Sequence, residues 1–162
     1  MRDIAAALPR DHLVDLAVDC LHVGGWGPDA AKASAYNNGT VHIYDFAVYG
    51  AARTLAGLFL HEFGHAFYAS LKPEEVNVLA ECHDVISRHR GFMGVEYLLD
   101  AQSRVVYQEF IPEEFVAETY LLYTACGGAL REFIGRQEDE AAEAWWRAYS
   151  VFAHGFHGIG YL

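Results

Sequence analysis

The 162-residue chain has too few cysteines, too far apart, for a disulfide framework. Cys20, Cys82 and Cys126 are odd in number and form no C-x-x-C pair, so buried, reduced thiols are expected. Basic residues are also scarce: 11 Lys and Arg stand against 22 Asp and Glu, a formal charge of -11. That balance disfavours nucleic acid and anionic membrane surfaces as partners. No apolar run reaches membrane-spanning length, because His61, Glu62 and His65 interrupt the best one. Met1-Arg2-Asp3-Ile4 opens without the apolar core and cleavage site of a signal peptide. The cytoplasm is therefore the default expectation, although a secreted enzyme released from a longer precursor would begin the same way. Internal repeats, low-complexity tracts and linkers are missing too, so residues 1–162 are read as one domain.

What the chain has is apolar and aromatic content, 53% and 14%, which fits a compact fold with a sizeable core. Apolar positions recur at helical spacing over 11–22, with Asp11 as cap and Gly24-Gly25 as stop, so a helix is expected there. Gly, Pro, Ser and Asn dominate from Trp26 to Gly39, which predicts a loop ending in an Asn37-Asn38-Gly39 turn. Thr40 to Tyr44 reads as a short strand, with an edge that could hold an extended peptide. About Gly50 to Ser70 reads as a helix apolar nearly all round, hence buried. A polar helix over 73–89, a loop over 90–94 and a short helical piece at Val95–Leu99 follow. Over 103–107 strand and helix are balanced. Pro112 opens a helix to Ala125 that Gly127-Gly128 should terminate. A last helix spans about Glu138 to Ala153, before an irregular tail.

The long apolar helix carries His61-Glu62-Phe63-Gly64-His65. Histidines four apart lie one helical turn from each other and can share a metal ion. The glutamate between them sits beside that face and can reach a water on the metal rather than the metal itself. This is the mechanical content of the zinc-hydrolase pattern H-E-x-x-H. Chance alone would give the pattern roughly 4% of the time in a chain of this composition. A third ligand must come from elsewhere. Glu114 and Glu118, also four apart, share a face of the helix that Pro112 opens, and either could supply it. The bland alternative is a solvated acidic face that includes Glu113.

His61-Glu62-Phe63-Gly64-His65, followed about fifty residues on by Glu114-Phe115-Val116-Ala117-Glu118, resembles the anthrax lethal factor catalytic domain and the related Pro-Pro endopeptidases, a gluzincin branch. The resemblance covers residues 61–67 and 107–118. It implies a zincin-like α+β domain, mostly helical, with a small sheet beside the active-site helix. In that family the first glutamate of the E-F-x-A-E segment ligates zinc, and a tyrosine seven residues earlier faces the site. The resemblance therefore implies Zn2+ on His61, His65 and Glu114, with Tyr107 as hydrogen-bond donor to the oxyanion or leaving group. Glu118 would orient a ligand histidine. Tyr68 and Leu71 stand where a metzincin would have its glycine and third histidine, which excludes that branch.

The expected activity is a zinc endopeptidase in which Glu62 serves as general base, acting on a peptide or protein substrate. A regulatory protease for one intracellular protein, or a metal-binding but idle interaction module, are the competing expectations. Glu62 argues against the module, which has no need of it. His83 and His89 match no metal-ligand spacing, and they, His154 and His157 read as surface residues. Trp145 and Trp146 read as packing residues. Tyr44 is second to Tyr107 as donor. Substrate preference and oligomeric state are not written in the sequence.

Overall fold

In the computed structural model, the described residues are Leu8, 19–23, 34–37, 39–44, 55–93 and 111–156. They form strands β1 (Asp19–Val23), β2 (Ser34–Asn37) and β3 (Thr40–Tyr44), then helices α1 (Leu55–Ser70), α2 (Pro73–Arg88), α3 (Pro112–Ile134) and α4 (Asp139–Gly155). The described chain is thus mostly helical with one small sheet, compatible with the α+β class.

The sheet order is β1-β3-β2. β2 and β3 pair antiparallel from Ser34↔Ile43 to Asn37↔Thr40, and Gly39, with φ 83°, takes the left-handed conformation their turn needs. β1 pairs parallel to β3, Asp19 with Thr40 through Val23 with Tyr44. Two expectations fail here. Residues 19–22 of the expected helix are strand, because pairing with a segment twenty residues on overrides a local period that cannot register it. Ser34–Asn37, read as loop, is the second strand of the hairpin. A third expectation changes with them: β3 is the central strand, paired on both sides, so its edge cannot receive a peptide. The outer edges among the described residues belong to β1 and β2.

α1 matches its expected burial. Leu58, Phe59, Leu60, Phe63, Ala66 and Phe67 are all buried, as are the polar His61 and Glu62. The helix packs on β2 and β3 on one side and on α3 on the other. At its end Ser70 Oγ donates to the Phe67 carbonyl at 2.7 Å. Pro73 then opens α2, where the Lys72 backbone N–H donates to the Glu75 carboxylate at 3.0 Å. α2 packs on α4. Aromatic rings tie the two helix pairs together: Phe67 of α1 stacks on Phe152 at 5.3 Å, and Phe115 of α3 lies 5.3 Å from Trp145. The buried Trp145 indole donates to the Gly91 carbonyl at 2.7 Å. Trp146, expected to pack, is instead 43% exposed against Tyr149.

α3 does not stop at Gly127-Gly128. Its backbone breaks from helical geometry at Cys126 (φ -152°, ψ 46°) and continues to Ile134. Two helical glycines cost roughly 2 kcal/mol relative to alanine. Burying Leu130 and Ile134, both fully inaccessible, returns about 1.5–3 kcal/mol each. Burial wins. Cys82 and Cys126 are free thiols, and burial pushes both above the ordinary thiol range. No helix among the described residues is long and apolar enough to cross a membrane.

The backbones of α1 and α3 approach closely where they cross. A Cβ added at Gly64 would lie 2.5 Å from Ala117 Cα and 2.7 Å from the Ala117 carbonyl oxygen. Gly64→Ala should gain about 1 kcal/mol of helix propensity, yet overpacking against backbone costs about 1–3 kcal/mol. Urea unfolding should therefore show net destabilisation, accompanied by weaker metal binding. A variant as stable as the parent, or more so, would contradict this crossing.

Candidate metal centre

The crossing brings four polar side chains together from two helices. His61 stands three residues before Gly64 and His65 one after it. Glu114 and Glu118 stand in the same relation to Ala117. His61 Nε2 lies 3.1 Å from His65 Nε2 and 3.5 Å from Glu114 Oε2, and His65 Nε2 lies 3.7 Å from Glu114 Oε1. These three residues each offer one ligand atom within 4.8 Å of the others. An ion held tetrahedrally at about 2.0–2.2 Å spaces its ligand atoms about 3.3–3.6 Å apart. The histidine pair, at 3.1 Å, and the nearest Glu114 oxygen to each ring, Oε2 for His61 and Oε1 for His65, lie close to that range; a single Glu114 oxygen reaches it with a small rotation of the carboxylate.

The donor chemistry fits a cation as well. His61 Nδ1 is 2.7 Å from Glu118 Oε1. A carboxylate there holds the proton on Nδ1 and leaves Nε2 with its lone pair facing the cluster. Glu118 is fully buried, although it is a glutamate on a helix that begins with an acidic pair. Glu114 Oε2 is buried without a hydrogen-bond donor among the described residues. Its ion pairs among those residues are with the two histidines. Converging lone pairs and a carboxylate oxygen lacking a donor are what a bound metal ion would satisfy.

The electrostatics point the same way. Burial, then the nearby His61, lower the His65 imidazole from its ordinary 6.5 to about 4, against an opposing pull from Glu118. His65 is therefore neutral, as a ligand must be, across the physiological range. Burial raises the Glu114 carboxyl above its ordinary value; His61 opposes this, while Glu118, Glu62 and Glu113 add to it. Both shifts have the same leading cause, the removal of water from groups that would otherwise be charged.

The structure thus brings together His61, His65, Glu114 and Glu118, and buries Glu62 in the same helix. Tyr107 lies outside the described residues, as do His157 and the segments 95–99 and 103–107. Tyr44 closes β3. His83 packs between the rings of Phe92 and Phe115 at 5.6 and 5.7 Å, while His89 pairs with Glu140 at 3.0 Å. Neither belongs to a metal cluster found among the described residues. Three contributors had no assigned place in the site from the sequence. Gly64 and Ala117 act by lacking bulk, and the signal is a small residue immediately before the second member of each pair, His65 and Glu118. Glu113 approaches His65 Nδ1 at 3.5 Å. Comparisons with protein-family models, with curated proteins and with solved structures found no match.

Two measurements follow from this geometry. A divalent metal ion should bind at about one equivalent; removing Glu114 should abolish tight binding, and removing Glu118 should weaken it by about 10–100-fold. Equal loss in both variants would make Glu118 a ligand rather than a support. The second measurement concerns the metal-free protein. His65, lowered in the native state, takes up its proton only on unfolding between pH 6.5 and about 4, so its contribution to stability falls as pH falls through that window. Glu114, raised in the native state, binds its proton more readily when folded and so contributes with the opposite sign. Glu114→Gln removes the opposing contribution. Its unfolding free energy should therefore drop more steeply than the parent's from pH 6.5 to 5, with each proton limited to about 1.4 kcal/mol per pH unit. A shallower drop would reverse the assignment.

Proposed function

We propose that this chain is a zinc-dependent endopeptidase domain of the zincin-like, gluzincin type. The observation that carries the reading is the convergence of His61, His65 and Glu114, each offering one ligand atom within 4.8 Å of the others, beside a buried glutamate. A zinc ion held there would supply Lewis acidity, acidifying a water molecule and polarising a scissile carbonyl.

The remaining chemistry belongs to the chain. Glu62 adjoins His61 on α1 and is 4% exposed, so its carboxylate works in a medium with little competing water. It accepts the proton of the attacking water and delivers it to the departing amine. Glu118 keeps the proton of His61 on Nδ1 and fixes that ring's orientation. Tyr107, seven residues before Glu114, is assigned the role of oxyanion donor on the strength of the family resemblance alone. Phe59, Phe63 and Phe115, buried on the same two helices, contribute to the packing that holds α1 and α3 together. A complete ligand set beside a buried glutamate favours an enzyme over an inert metal module, which would gain nothing from burying Glu62.

Glu62→Gln retains the size of the side chain and removes its basicity. The variant should still bind about one equivalent of zinc while peptide hydrolysis falls by at least about 10²–10⁴-fold. Cleavage of a peptide library by the parent and its loss in the variant provide the measurement. Near-normal hydrolysis by Glu62→Gln would rule out this mechanism, and a zinc-loaded parent that cleaves nothing would rule out the peptidase.

A further inference from the structure

The cluster leaves one ligand histidine without a matching support. His61 has Glu118 at its Nδ1, 2.7 Å away, on a fully buried carboxylate. His65 directs Nε2 at the same point in space as His61 and Glu114, so its Nδ1 faces away from the ligand cluster. That atom is buried and makes no hydrogen bond among the described residues. An imidazole whose Nε2 lone pair binds a cation carries its proton on Nδ1, and a buried N–H without an acceptor is costly. The carboxylate that pairs with His65 Nδ1 among the described residues is Glu113 Oε1, at 3.5 Å.

We propose that Glu113 is the positioning residue for His65, accepting its Nδ1–H when the centre holds metal, so that each ligand histidine is oriented by its own glutamate from α3. The inference rests on the metal-centre reading. Several observations favour it over a merely solvated acid. Glu113 sits in the first turn of α3, immediately before the ligand Glu114. The partners appear in reversed order along the two helices, His61 with Glu118 and His65 with Glu113. The helices therefore pass each other in opposing directions, and the N-terminal end of α3 is the end that His65 reaches. Glu113 has no other ion pair among the described residues. Its side chain is 49% exposed, which leaves it free to close the remaining half-ångström or so to ordinary hydrogen-bond length. Its partial exposure also sets its rank, since a solvated carboxylate orients a ring less firmly than the buried Glu118 does.

The test uses the full chain and two readouts other than turnover: zinc affinity by chelator competition, and the visible spectrum of the cobalt(II)-loaded protein. Glu113→Ala should weaken zinc binding about tenfold, the lower end of the range for such supports, whereas Glu113→Gln, whose amide oxygen can accept the same proton, should stay within about threefold of the parent. The cobalt spectrum should change in Glu113→Ala and return to the parent form in Glu113→Gln. Glu74→Ala, an exposed acid on α2, controls for net charge and should leave both readouts unchanged. Thermal midpoints of the metal-free variants equal to the parent's separate the effect from damage to folding. Should Glu113→Ala be destabilised, Glu113→Gln against Glu113→Lys gives the same comparison. Parent-like zinc affinity in Glu113→Ala would overturn the inference and leave the metal centre standing. So would equal losses in Glu113→Ala and Glu113→Gln, which mark a charge effect rather than an accepted proton. A parent that binds no zinc would overturn the metal centre itself.

Discussion

The close approach of α1 and α3 at Gly64 and Ala117 is the constraint on which the site depends. Helices with ordinary side chains between them pack with axes about 8–10 Å apart, a distance set by those side chains. Here glycine meets alanine, and a single added Cβ would run into backbone at 2.5 Å. The crossing point lies between His61 and His65 on one helix and between Glu114 and Glu118 on the other. Whatever distance the backbones keep is therefore transmitted to the candidate ligand atoms, which lie within 4.8 Å of one another. Displacing the helices by a methyl group would move two ligand atoms away from the third. Sheet, α2 and α4 then serve to hold that crossing: β2 and β3 back α1, and α4 backs α3 through Trp145 and the rings around Phe152.

Bringing four titratable groups into a water-poor space has an electrostatic cost, and its direction is informative. Burial lowers His65 and raises Glu114, so the fold resists charging either group alone. Proton transfer between them would create a charged pair at 3.7 Å, but desolvation opposes both halves of it. A divalent cation changes the balance, because it keeps the imidazoles neutral and favours an ionised Glu114 at once. The same burial that penalises charge in the metal-free site therefore leaves His65 neutral and ready for a metal ion.

How much of this could be read in the sequence follows from the range of each interaction. Pairs four apart on a helix share a face whatever the rest of the fold does, so His61 with His65 and Glu114 with Glu118 could be placed from spacing alone. Choosing Glu114 rather than Glu118 as third ligand took a family resemblance. In the coordinates Glu118 stands on the Nδ1 side of His61 and Glu114 on the Nε2 side. Tyr107, the remaining member of that set, lies outside the described residues. The β1–β3 pairing is non-local, and residues 19–22 have a helical period that the parallel ladder overrides. The extension of α3 beyond Cys126 had no local signal either, since Gly127-Gly128 is a stop by propensity and only tertiary burial of Leu130 and Ile134 outweighs it. Gly64 is the instructive case. It occupies a variable position of the H-E-x-x-H pattern, where any residue satisfies the chemistry, yet packing demands the smallest.

The glutamates around the centre show how one residue type is divided by depth. Glu118 is wholly buried and sits at the far nitrogen of a histidine, where it can orient but cannot reach solvent or substrate. Glu62, proposed as the base, is nearly as buried and lies on α1 next to His61. Glu114 is partly exposed and placed between the two Nε2 atoms, which suits a ligand at a site that must remain open on one side. Glu113 is half in solvent at the rim. The four carboxylates differ in how far water reaches them, and three of them in the histidine nitrogen each one faces. Both variables are set by the crossing of two helices, so in the proposed enzyme the division of roles is as much a property of Gly64 and Ala117 as of the glutamates themselves.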